Sequence, residues 1–239
     1  MSKPILEIQK VTKKFGGLQA LQDVDVRVEY NEKVGLIGPN GAGKTTLLNI
    51  ISGILKCDKG KVIFDGRDIT GLDPHKRVRL GIARTFQVPR PLMSMTVLEN
   101  VTVPLLFTQR SSIHNYNEIA LNILQMVGLE SHAHLLPSQL TQIELRRLEL
   151  ARALAVRPKL LLLDEVGSGL TIGEIDELVT FLKKLSEKGL TIIMVEHVMR
   201  AIFSFCERVV VLNFGTKIAD GKPREISSDE KVVKVYLGE

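Results

Sequence analysis

Cysteine is nearly missing: Cys57 and Cys206 are the only two in 239 residues. Thiols so far apart match neither a disulfide framework nor a zinc spacing, so both read as reduced, and a reducing cytoplasm is expected. Long hydrophobic runs are missing too. The opening MSKPILEIQK has no apolar stretch of secretion-signal length, and VLENVTVPLLF is broken by Glu99, Asn100 and Pro104 well short of a span. Contact with a membrane is therefore expected through another protein or the surface. Nor does one charge dominate. The 32 Lys and Arg against 27 Asp and Glu leave +5 without a block of like sign, so no basic stripe marks a nucleic-acid binder. Internal repeats and low-complexity segments are also absent, which excludes solenoids and linkers.

What is present is 44% apolar content, enough for a substantial core. Four short apolar runs, VGLI (34–37), LLLL (160–163), TIIMV (191–195) and VVVL (209–212), lack polar alternation. Such runs predict strands covered on both faces, hence a mainly parallel sheet in an α/β core. By contrast ILEIQKV, VDVRVEY and KVIFDGRDI alternate, which predicts a small antiparallel β subdomain beside the core. From about 89 to 155 the pattern becomes helical, punctuated by prolines 89, 91, 104 and 137. This segment is expected to be a helical subdomain inserted in the core, with Ile119, Ile123 and Met126 on one face and Gly128 as a helix stop.

GPNGAGKTT spans Gly38, Pro39, Asn40, Gly41, Ala42, Gly43, Lys44, Thr45 and Thr46, between the VGLI strand and the helix-like LLNIISGIL. GxxxxGK[ST] in that context predicts a phosphate-binding loop. Its glycines let backbone N–H groups turn toward phosphate oxygens, Lys44 reaches the β and γ phosphates, and the Thr45 hydroxyl is a ligand for Mg²⁺. LLLLDE then delivers Asp164 to the same sheet edge, where its carboxylate is expected to hold Mg²⁺ through water. Glu165, one residue on, is placed to activate the water that attacks the γ phosphate. The ligand is therefore expected to carry a γ phosphate and to bind with Mg²⁺. The remaining histidines, His132 and His134 included, have no metal-ligand spacing and are expected to be solvated.

With these motifs in order, and with RTFQ, LTQIELRRLELARAL and MVEH around them, the chain resembles the ATP-binding cassette subunit of an ABC transporter over nearly its whole length. The resemblance implies a P-loop NTPase core, a single nucleotide-binding domain over 1–239, and an Mg-dependent ATPase coupled to transport. It implies that Phe15 stacks on adenine, that Gln87 touches Mg²⁺ and the attacking water, and that His197 senses the γ phosphate. In VGSGLT, Ser168 and Leu170 fit the family's D-loop while Thr171 replaces its usual aspartate. LTQIE stands where the family usually reads LSGGQ: Thr141 keeps a hydroxyl for a phosphate held by an opposite subunit, but Gln142 and Ile143 carry a Cβ where glycine has none. Thr141 and Glu144 also have the form of a helix capping box. An asymmetric pair with a different cassette is therefore expected, although a homodimer is the other arrangement.

The partners implied are transmembrane permease subunits and a second cassette, with a substrate-binding protein only indirectly and no nucleic acid. The place implied is the cytoplasmic face of the cell membrane. Phe86, Val88, Leu92 and Met93 would help form the groove for a permease helix. The finer resemblance, carried by GIARTFQVPRPLMSMTVLENV, LELARALAVRPKLLLLDEVGSGL and the ending YLGE, is to the larger ATPase subunit of branched-chain amino acid importers. An ATPase of a lipid or lipopolysaccharide exporter is the alternative. A soluble nucleic-acid-linked ATPase would need a coiled-coil insertion, a second cassette or a basic stripe, and the sequence carries none of these.

Overall fold

The computed structural model describes residues 3–108, 115–187 and 189–237; Gly238 and Glu239 of the YLGE ending lie outside them. The chain opens with β1 (Leu6–Phe15) and β2 (Leu18–Val28), then enters the core through β3 (Lys33–Ile37) and α1 (Lys44–Ser52). It leaves for β4 (Lys59–Phe64) and β5 (Arg67–Asp68) and returns by α2 (Pro74–Leu80) and β6 (Ile82–Arg84). Next come α3 (Val97–Thr108), α4 (Tyr116–Met126) and α5 (Gln142–Ala155). The core resumes with β7 (Leu160–Asp164), α6 (Ile172–Ser186), β8 (Thr191–Val195), α7 (Met199–Phe205) and β9 (Arg208–Asn213), followed by β10 (Thr216–Gly221), α8 (Pro223–Ser228) and α9 (Glu230–Leu237).

The unalternating runs form the centre of a six-stranded sheet ordered β10-β9-β3-β8-β7-β6, parallel except for β10 at the edge. Every residue of β7 and β8 is buried, as strands covered by helices on both faces must be. The alternating segments make the antiparallel sheet β2-β1-β4-β5. One apolar cluster joins that sheet to α1 and the near face of the core; a second fills the far face under α6 and α7. Buried Arg77 of α2 locks the first of these layers, because its guanidinium donates to the carbonyls of Ile50, Ile51, Thr70 and Leu72. A positive group on the last carbonyls of α1 also suits that helix's dipole.

Helices α3, α4 and α5 surround their own cluster of Val97, Val101, Leu105, Leu124, Leu148 and Ala151. Two expectations change here. Pro104 does not punctuate the segment but sits inside α3. Met126 leaves the face it was expected to share with Ile123: it is 39% exposed, and Ala120, Leu124 and Val127 are buried instead, because α4 packs along the stripe through Ala120, Leu124 and Val127, spaced four and three residues apart, with Ile123 at its edge. Gly128, at φ +73°, follows the helix end directly.

Candidate active site

The loop after β3 is shaped by glycines at positive φ: Gly38 at +149°, Gly41 at +79° and Gly43 at +101°. A Cβ on Gly38 would lie 2.1 Å from the carbonyl oxygen of Leu212, and one on Gly43 would lie 2.7 Å from that of Ala20. Only glycine lets the loop pass so close to β9 and β2. Gly43 is also the N-cap of α1 and offers no side chain to cap it. The first N–H groups of α1 therefore point at the loop, which is the arrangement an anionic phosphate fits. Lys44 is buried, with its ammonium donating to the carbonyls of Gly38 at 2.7 Å and Pro39 at 3.0 Å. Burial lowers its pKa, and Glu165 and Asp164 oppose that shift through their charges.

A cavity of about 380 Å³ opens on this loop, lined by Asn40, Gly41, Ala42, Gly43, Lys44, Thr45 and Thr46 and faced by Glu165 and His197. Phe15, 45% exposed at the end of β1, stands at its mouth with the Lys13 ammonium 5.5 Å from its ring centre. Phe214 shares that mouth at 85% exposure. Sequence reasoning missed it; the available signal was an aromatic in the tight turn NFGT directly after a buried strand.

Glu165 follows β7 at φ +51°, a left-handed conformation uncommon for a residue with a side chain. The turn aims its carboxylate between two partners. Oε2 accepts a hydrogen bond from Gln87 Nε2 at 2.5 Å, and Oε1 lies 2.8 Å from His197 Nε2. An ionised carboxylate accepts only, so that histidine nitrogen carries the proton. Thus Gln87 and His197, 110 residues apart in sequence, meet on one carboxylate. Asp164 is buried beside it, its Oδ2 paired with the Arg84 guanidinium at 2.8 Å. Arg84 also donates to Asn49 and Ser52 of α1, which ties the strand carrying Asp164 to the helix of the phosphate loop. Neither Arg84 nor Arg146, which donates to the carbonyl of Val166 at 2.6 Å, was foreseen.

Glu196 is a further surprise. It is 1% exposed, accepts from the Gly167 N–H, and is pushed by burial to about 7. Its folded pKa exceeds the ordinary 4.5, so its contribution to stability is full below that value and is lost as pH rises through about 7. The melting temperature of the wild-type chain should therefore drop from about pH 5 to about pH 8, and Glu196→Gln should drop less, a difference of roughly 2–3 kcal/mol. Thermal melts at both pH values check this, and equal slopes would contradict it.

The LTQIE segment lies outside this cavity. Thr141 is the N-cap of α5: its hydroxyl accepts from Glu144 N–H at 3.3 Å while Glu144 accepts from Thr141 N–H at 2.8 Å. The bond from the Thr141 N–H, followed by one that the Thr141 hydroxyl donates to the same carboxylate at 2.8 Å, holds the Glu144 carboxyl below its ordinary range. His132 is not simply solvated as expected, for its Nε2 lies 3.2 Å from the other Glu144 oxygen; the two meet because α5 starts beside the turn after α4. Thr171 likewise caps α6 with Glu174. Removing the Thr141 hydroxyl in Thr141→Ala should cost about 1 kcal/mol, measurable by urea unfolding, with no loss if the cap is idle. Phe86, Val88 and Met93 are exposed and Leu92 is half-buried.

Comparison with known proteins gives the following. Residues 21–168 match the family described as ABC transporter, and residues 216–239 match that described as branched-chain amino acid ATP-binding cassette transporter. The high-affinity branched-chain amino acid transport ATP-binding protein BraF of Pseudomonas aeruginosa is 39% identical over 254 residues, covering 100% of both chains. LivG of Escherichia coli K12, which carries the same description, is 36% identical over 256 residues with the same coverage. Among solved structures, the ADP conformation of an ATP-binding cassette of an ABC transporter superposes with TM-score 0.90 at 33% identity, covering 100% of each chain. A dimeric post-hydrolysis cassette bound to ADP and Pi gives 0.84 at 33% identity, covering 92% of this chain and 99% of that one.

Proposed function

The chain belongs to the ABC transporter family of ATPases, and from that premise we propose that it powers import of branched-chain amino acids. The observation that carries the hydrolytic reading is the Glu165 carboxylate, held by Gln87 and His197 and facing Lys44 across one cavity. The cargo reading draws on relatives described as branched-chain amino acid transport proteins and matched over the full chain. That likeness favours import over lipid export.

In the proposed mechanism the loop N–H groups, the N-terminus of α1 and Lys44 bind the phosphates. Phe15 takes the adenine face. Glu165 accepts the proton of the attacking water, Gln87 orients that water, and His197 keeps the carboxylate placed and meets the γ phosphate. Thr45 and Asp164 offer the hard oxygen donors that suit Mg²⁺, with Gln87 adding an amide oxygen. When bound, Mg²⁺ supplies neutralisation of phosphate charge. Arg84 holds Asp164 at the sheet edge for that purpose.

Each γ phosphate would be enclosed by a second cassette, to which Thr141 presents its end of α5. Because that hydroxyl already serves its own helix, and Glu144 adds negative charge, this chain would complete a partner's site less tightly than a glycine-containing signature does. No helix among the described residues is long and apolar enough to cross a membrane. Attachment to the cytoplasmic face would run through permease subunits seated on the Phe86, Val88 and Met93 surface. The one-domain organisation, with 89–155 as the inserted lobe, belongs to the same reading. The test is to assemble the chain with its permeases and second cassette and add leucine-loaded binding protein. Stimulated ATP hydrolysis is expected, whereas an unresponsive complex stimulated by lipid would favour export.

A further inference from the structure

A second cavity, about 310 Å³, lies where the helical lobe meets the core, bounded by the end of α4, the first half of α5 and one face of α6. It reaches the lower end of the ~300–1,000 Å³ range of small-molecule sites. Its walls are of two kinds. Leu150, Val166, Leu170, Leu178 and Phe181 form an apolar floor, and Phe181 packs against both the core and the lobe clusters.

The rim carries both signs: Arg146 and Arg147 from α5, Glu174 and Glu177 from α6. Glu174 is committed to capping its own helix. The Arg147 and Glu177 side chains, 41% and 71% exposed, face each other at a long 3.4 Å. So open a pair contributes little and gives way readily to a ligand's own charges. A guanidinium and a carboxylate at the rim of a branched-aliphatic floor complement one chemistry, a small zwitterion with a hydrocarbon tail. A fatty chain would draw nothing from either charge, and a dianion would meet Glu177.

We propose that this cavity binds a hydrophobic α-amino acid, with its carboxylate on Arg147, its ammonium on Glu177 and its side chain among Leu170, Leu178 and Phe181. Occupancy slows ATP hydrolysis, so delivered cargo restrains its own import; this rests on the cargo reading above. The coupling is short. Arg146 lines the same cavity and donates to the carbonyls of Val166 and Glu165, the turn that presents the carboxylate at the phosphate loop. A ligand wedged against Arg146 and Phe181 therefore acts at once on the base and on the joint between lobe and core, and favours the arrangement in which the base is displaced.

The chain has no tryptophan, so Phe181→Trp places a single fluorescent reporter in the cavity. Titration of that variant with L-leucine should give a saturable emission change, weaker with D-leucine and lost when Arg147→Ala is added. In the complete transporter, L-leucine on the cassette side should lower ATP hydrolysis roughly 5-fold or more. Glu177→Gln, which removes the ammonium's partner without adding bulk to the cavity, should relieve that inhibition and leave basal hydrolysis intact. Leucine uptake by the complete transporter is measured alongside. Uptake with no emission change for L-leucine, L-isoleucine or L-valine overturns the cavity site alone. Binding without uptake supports the site and sinks the cargo reading. Inhibition that persists in Glu177→Gln places the effect elsewhere and also overturns the proposal.

Discussion

Glu165→Gln should bind ATP as wild type does and hydrolyse it on the order of 10²- to 10⁴-fold more slowly. The geometry makes the substitution unusually clean. Gln87 donates to Oε2 and His197 lies against Oε1, and a glutamine side chain fills the same place. Its carbonyl oxygen still accepts from Gln87, and its amide donates to the other imidazole tautomer. What disappears is the ability to take a proton from water. The phosphate contacts proposed for the loop backbone and Lys44 are untouched. Nucleotide binding by calorimetry and phosphate release in the assembled transporter separate the two effects. A variant that hydrolyses at the wild-type rate moves the base to another residue.

Gly38→Ala should abolish nucleotide binding and destabilise the fold by about 2–5 kcal/mol. The methyl group would arrive 2.1 Å from the Leu212 carbonyl, a backbone atom of β9 that the sheet fixes, and 3.0 Å from the Ala42 side chain. The loop must move, and with it the Gly38 carbonyl that now accepts from Lys44. Gly41→Ala provides the contrast, since nothing lies within 4 Å of a Cβ there and only the positive φ is strained. It should fold nearly as well as wild type. Thermal melts and ATP titration of both variants test this, and equal stability of the two would show that close approach to β9 does not matter.

The parts of the site carried by contiguous residues were legible in the sequence. The phosphate loop announces itself because strand, glycines, lysine and helix follow one another, and LLLLDE because burial and charge meet at one strand end. The capping box at Thr141 was equally readable, being a local pattern. What the sequence left hidden depends on contacts that only tertiary packing creates. Arg84 meets Asp164 across 80 positions, and Glu196 meets Gly167 only where β7 and β8 end together. Phe214 reaches the cavity at the glycine-rich loop because the β9–β10 turn lies over that loop. Pro104 and Met126 were misplaced for a related reason. A helix tolerates proline when packing supports it, and three residues of apolar period do not define a face until the neighbouring helices are known.

The most direct test of the whole account is uptake of labelled L-leucine by proteoliposomes holding this chain, its permease subunits, a second cassette and the binding protein. Uptake should require ATP and Mg²⁺ on the cassette side and should collapse when this chain carries Glu165→Gln. Leucine accumulation that continues undiminished in that variant would contradict the assignment of this chain as the motor.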